Sequence, residues 1–130
     1  MNIDSEKASP IFIQIQDYIR RAVAAGVYKP GEAIPSLRAM AIKLKVNPNT
    51  VKRAYQELER AGLIKARKGV GMFVTPDGAA GAKRHAEGMV VDCFLDGIRI
   101  AHSAGIDPSR VRSLFEEASM RELPVAKEAI

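Results

Sequence analysis

Three residues, Lys45, Val46 and Asn47, separate two helical patterns. So short a connection holds the helices at a steep angle and stops them merging into one. On its N-terminal side, Leu37, Met40, Ala41 and Leu44 recur at i, i+3, i+4 and i+7, with Ser36 placed to cap a two-turn helix. On its C-terminal side, Asn47 is a favoured cap, Pro48 suits the first helical position and Gly62 suits the position after the last turn. The spacing predicts that the helix from Pro48 to about Ala61 buries Val51, Ala54, Tyr55, Leu58 and Ala61. Asn49, Lys52, Arg53, Gln56 and Arg60 are then turned outward.

The flanking segments complete a layout. Upstream, Ser9 and Pro10 read as a cap and first-turn pair, and Gly26 reads as a stop. Between them Ile11, Ile15, Tyr18, Ile19, Ala22 and Val23 form one apolar stripe. Ile13 lies off that stripe, either as a scattered surface residue or as a contact with another chain. Downstream, Leu63 to Ala66 and Met72 to Thr75 read as strands joined by a basic, glycine-containing turn, Arg67 to Gly71. Residues 76–81, rich in Pro, Gly and Ala, read as a linker. A helix from about Ala82 to Ala104, a break at Gly105 and a helix capped by Asp107 and Pro108 that runs to about Met120 follow. The expected fold is mainly α with a small β-hairpin: a winged helix-turn-helix over 1–75, a linker over 76–81 and a two-helix tail over 82–130.

Charge follows the same division. The 130 residues carry 20 Lys+Arg and 15 Asp+Glu, a net +5. Pro10 to Thr75 alone hold twelve basic and four acidic residues, whereas the segment from Pro76 onward is faintly acidic. A basic first half points to a polyanionic partner. The outer face of Asn49, Lys52, Arg53 and Gln56 suits the DNA major groove, with amides that pair bidentately with adenine and cations that meet guanine or phosphate. Asn47 and Thr50, at the helix start, offer short donors to phosphate oxygens. A charged helix face taken alone is more often merely solvated, and the surrounding layout is what favours DNA. The Arg67, Lys68, Gly69 tip is a wing that would lie on the backbone or enter the minor groove. As a nucleotide loop, Gly69–Val70–Gly71 is weak, because no helix follows it.

Other classes fit poorly. The single cysteine, Cys93, leaves no internal disulfide and is expected to be buried as a small apolar residue. The N-terminus has no basic-then-apolar leader, so a cytoplasmic location is expected. The apolar run at 89–101 is interrupted by Asp92, Asp96 and Arg99 and falls short of the roughly 20 residues that span a bilayer. His85 and His102 do not converge with Cys93 on one helix face, and no catalytic set can be assembled, so no metal, cofactor or enzymatic activity is expected.

The run IPSLRAMAIKLKVNPNTVKRAYQELERAGLIKARKGVGMFV resembles the DNA-binding domain of GntR-type bacterial transcription regulators. PSLRAMA, NPNTVKRAY, LERAGLI and GVGMFV occur in order and at the family spacing. The short tail resembles the YtrA-like subfamily, whose two tail helices serve dimerisation. The resemblance implies DNA-contacting positions at Arg38, Asn47, Asn49, Thr50, Lys52, Arg53, Lys68 and Gly69. Two departures stand out: Met72, where Thr is common, and Lys45, where the family often has Gly. At Lys45 the chain either holds a left-handed conformation at some cost or turns differently.

The tail gives its own reason to expect a homodimer. Met89, Val90, Val91, Cys93, Phe94, Leu95, Ile98, Ile100 and Ala101 cover almost the whole circumference of their helix. The next helix, through Val111, Leu114, Phe115 and Ala118, covers one side only, so a second chain is expected to cover the rest, the alternative being that the tail packs back on its own N-terminal unit. Val90, Val91, Phe94, Leu95, Ile98, Ala101, Leu114 and Phe115 are the expected interface, and an inverted-repeat operator follows from a two-fold dimer. Repression by occlusion is the expected outcome. Two helices leave little room for an effector pocket, and no effector is specified. The alternative is a winged-helix module for protein contacts without specific DNA binding.

Overall fold

In the computed structural model, which describes residues 3, 4, 6 and 8–122, the chain forms five helices and one two-stranded antiparallel sheet. The last residues of the expected tail, 123–130, lie outside the described residues. Two compact units are present, Met1–Gly88 and Met89–Ile130.

In the first unit α1 (Ile11–Ala24), α2 (Leu37–Leu44) and α3 (Pro48–Arg60) pack around one core, with β1 (Ile64–Arg67) and β2 (Gly71–Val74) closing it. Ile15 and Ile19 from α1, Met40 from α2, Val51 and Leu58 from α3, Ile64 and Val74 from the strands are fully buried. The stripe positions of α1 are therefore the ones that face the core. The predicted caps of α2 and α3 form: Ser36 Oγ accepts from the Ala39 N–H at 3.1 Å, and Asn47 Oδ1 accepts from the Asn49 N–H at 2.8 Å. Tyr55 locks α3 to the connection before α2, its hydroxyl donating to the Pro35 carbonyl at 2.7 Å. Burial pushes the Tyr55 phenol well above its ordinary range, so it stays a donor.

Lys45 is left-handed, with φ 57° and ψ 49°. Its neighbour closes the end of α2, the Val46 N–H reaching back to the Ala41 carbonyl at 3.0 Å. This is a glycine-type cap built on a lysine, at a cost of about 1 kcal/mol.

Several boundaries differ from expectation. Pro10, not Ser9, is the N-cap of α1 and offers no side-chain acceptor. The Ser9 carbonyl instead accepts from Gln14 Nε2 at 3.0 Å. Gln14 also clamps Asp4 at both its N–H and its carbonyl, which explains a buried amide on α1. Ala61 caps α3 and is exposed, because the chain turns away at Gly62. The strands are shifted by one residue, so that Arg67 pairs with Gly71 and the turn narrows to residues 68–70. A third extended segment runs beside β2, with the Ile34 N–H donating to the Met72 carbonyl at 2.9 Å and Ala33 bridging Phe73. It is too short to leave a periodic signal.

The expected linker is the largest correction. Residues 76–81 are the first turns of α4 (Pro76–Ser103), which begins in the first unit and ends in the second. Pro76 sits where a missing N–H costs nothing, and Thr75 Oγ1 accepts from the Gly78 N–H at 2.9 Å while its hydroxyl donates to the Gly62 carbonyl at 2.6 Å. Gly78 is there for closeness and not for flexibility: a Cβ would stand 2.6 Å from Leu63 Cα and 2.7 Å from the Leu63 carbonyl oxygen. Gly78→Ala is expected to destabilise the first unit by about 2–3 kcal/mol, the scale of overpacking against backbone. A urea titration would register it as a lower midpoint, whereas Gly81→Ala, whose Cβ would meet only the Arg84 side chain at 3.8 Å, should raise stability by up to about 1 kcal/mol through helix propensity.

In the second unit the remainder of α4 is followed, after a turn at residues 104–107, by α5 (Pro108–Glu122). Asp107 caps α5, accepting from the Arg110 N–H at 2.9 Å and from the Ser109 hydroxyl at 2.7 Å, and these bonds lower its carboxyl pKa. Phe94 meets Phe115 edge to face at 5.7 Å. No helix among the described residues is long and apolar enough to cross a membrane.

Candidate nucleic-acid interface

The first unit presents two basic elements outward. On α3 the apolar side points inward, and Asn49, Lys52, Arg53 and Gln56 are all exposed on the other side. The acidic residues of this helix come late, and Glu57 is paired with Arg60 at 2.9 Å, so the first turns keep their cations free of carboxylates on their own helix. Thr50 is half-buried at the start of α3. Asn47 is exposed, but its Oδ1 is committed to the cap, which leaves the amide NH2 to reach outward. Arg38 is exposed on the first turn of α2.

On the hairpin, Lys68 and Gly69 form the tip and are exposed. Gly69 has φ 80°, a conformation that a side chain would strain, and the Val70 N–H donates to the Arg67 carbonyl at 3.0 Å to close the turn. Arg67 belongs to β1 and not to the turn, and its guanidinium lies over the Phe73 ring at 4.1 Å. The ring is diagonal to Arg67 on the paired strand, within reach of a long side chain. On α3, Arg53 likewise lies over the ring of Phe12 from α1, at 3.6 Å. Neither ring follows from helical or strand period alone. Phe12 lay outside the apolar stripe of α1, and an aromatic residue off the stripe was the available signal.

In the second unit the expected interface residues are mostly uncovered. Val90, Val91, Phe94, Leu95, Ile98, Leu114 and Phe115 are all exposed, Ile98 at 51%. Ala101 is the exception: it is buried under α5, and its carbonyl accepts from the Ile106 N–H at 2.9 Å. Cys93, expected to be buried, is exposed on the single chain, where it lines the open groove between α4 and α5. Among the described residues, no group of three or more His, Cys, Asp or Glu gathers as a metal site would require.

A two-helix turn, a third helix with a polar outer face and a basic two-stranded wing define a winged-helix DNA-binding transcription regulator. Residues 13–74 match the family described as bacterial regulatory proteins, gntR family. The chain is 31% identical over 119 residues to the HTH-type transcriptional repressor YtrA of Bacillus subtilis, covering 92% of each protein. The chain belongs to the GntR family and is similar to its YtrA type along most of its length. Its structure resembles a transcriptional regulator from Oenococcus oeni, with TM-score 0.74, 28% identity and coverage of 88% of this chain and 95% of that one. It also resembles the DNA-binding domain of AraR in complex with operator ORR3, with TM-score 0.51 and 25% identity over 58% of this chain and 90% of that one. These relatives are transcription regulators and lend no support to a module devoted to protein contacts.

Proposed function

We infer that the chain acts as a homodimeric repressor that occupies an inverted-repeat operator. In this reading α3 lies in the major groove, where Asn49, Lys52, Arg53 and Gln56 reach base edges. Asn47, Thr50 and Arg38 hold phosphates, and the Arg67–Lys68–Gly69 wing follows the backbone or minor groove. The observation that carries the DNA assignment is the joint exposure of the basic α3 face and the basic hairpin tip on one folded unit. The B. subtilis relative is named a repressor, which supports the sign of regulation. A regulator of this kind works where the chromosome is, in the cytoplasm.

The dimer rests on the second unit. Val90 at 50%, Phe94 at 49% and Ile100 at 66% exposure leave an apolar face that a chain on its own rarely shows to water. The groove between α4 and α5, lined by Phe94, Ile98, Ala101, Val111, Leu114 and Phe115, is apolar and open. A second copy fits it better than DNA or an anionic surface, because the segment from Pro76 onward carries no surplus of cations. A two-fold dimer is the commonest closed arrangement and matches the symmetry of an inverted repeat. Sedimentation equilibrium should give twice the 14.1 kDa of one chain. A stable monomer at micromolar concentration would remove the dimer and the inverted repeat together.

A further inference from the structure

We propose that Phe12 is a positioning residue for DNA recognition: its ring is a shelf that holds the Arg53 guanidinium in place on α3 before DNA arrives. Arg53 Cζ lies 3.6 Å from the centroid of the Phe12 ring, which is stacking contact. The ring is itself fixed, since Phe12 sits in the first turn of α1, half-buried against the core. Arg53 is exposed on the other side.

Stacking of this kind is compatible with recognition. All five N–H donors of a guanidinium lie in its plane, so a ring against one face leaves every edge free for guanine O6 and N7 or for a phosphate. The negative face of the ring attracts the cation, and the desolvated stem is ordered in advance. An unsupported arginine would have to order its long side chain at the moment of binding, a cost that falls directly on affinity. Lysine could not use the shelf in the same way, because an ammonium has no plane to lay down. The wing repeats the device, with Arg67 over Phe73 at 4.1 Å. A third cation, Lys43 of α2, lies over the Tyr18 ring at a longer 5.7 Å, so the closest two of the three contacts are those on the elements proposed to meet DNA.

This inference rests on the assignment of the α3 face to DNA, and a double-mutant cycle separates the two. Wild type, Phe12→Leu, Phe12→Tyr, Arg53→Ala and the Phe12→Leu/Arg53→Ala pair are titrated with a duplex from the chain's own promoter region and with a random duplex of equal length. Phe12→Leu should weaken promoter binding about three- to fivefold, the scale of one exposed cation–π contact. Phe12→Tyr should restore it, and Phe12→Leu should cost nothing further once Arg53 is alanine. Equal losses from Phe12→Leu with and without Arg53 would overturn the shelf, as would loss with Arg53→Ala but none with Phe12→Leu, which leaves the α3 face standing. No loss with Arg53→Ala would remove the DNA role of Arg53 and the shelf with it. Should Phe12→Leu fold poorly, proton NMR of the wild-type chain decides the matter. The Arg53 δ-methylene protons should be shifted upfield by the ring current, and random-coil positions would overturn the proposal.

Discussion

Leu95→Asp is expected to convert the protein to a monomer and to cost at least about a hundredfold in affinity for its operator. Leu95 is exposed on α4 and stands outside the α4–α5 groove, so the substitution leaves the Phe94–Phe115 pair in place. Its effect should fall on the contact with a second chain. Burying a carboxylate in that apolar face costs several kcal/mol. The dimer would bind DNA through two first units, and losing one converts an intramolecular second contact into an independent one, a difference of about 10²- to 10⁴-fold. Light scattering and operator titration of the same sample check both parts. A dimeric Leu95→Asp variant with unchanged DNA affinity would place the interface elsewhere. Helicity by circular dichroism should be unchanged, which separates loss of association from loss of fold.

The second large effect concerns discrimination. Arg53→Ala and Asn49→Ala should each lower preference for operator over random duplex by about 1–3 kcal/mol, the worth of one bidentate side chain–base pair. Lys68→Ala, at the exposed hairpin tip, should weaken both duplexes alike and reduce the salt slope by about one. The contrast carries the assignment, because base contacts specify while phosphate contacts only position. Equal effects on both duplexes from all three variants would show that α3 does not read sequence.

What could be read from the sequence, and what could not, follows from the range of each interaction. The caps at Ser36, Asn47 and Asp107 are local bonds between residues two or three apart, and all three form as their residue types suggested. The apolar period of α1 to α3 and the three-residue turn are equally local. The helical start of α4 was hidden because Pro76 and Gly78 look like breakers. One suits the first turn, and the other is demanded by a backbone from Leu63, fifteen positions earlier. Ala33 beside β2 was hidden for the same reason: a single bridge has no period. The candidate site divides in the same way. Exposure of the α3 face could be foreseen from helical spacing, whereas the rings beneath Arg53 and Arg67 arise where α1 meets α3 and where β2 pairs with β1. Lys45 lies between these cases, since its left-handed backbone is what a helix-ending turn requires, yet the residue type conceals it.

Whether the α3 face and the wing of the first unit bind duplex DNA is decided by equilibrium titration of the full chain with duplex from its own promoter region over a salt series. Tight binding is expected at low salt, falling steeply and linearly on logarithmic axes with a slope of about −0.9 for each phosphate neutralised, and tighter than to random duplex at every salt concentration. Absence of binding at low salt, or binding indifferent to salt, would contradict that role.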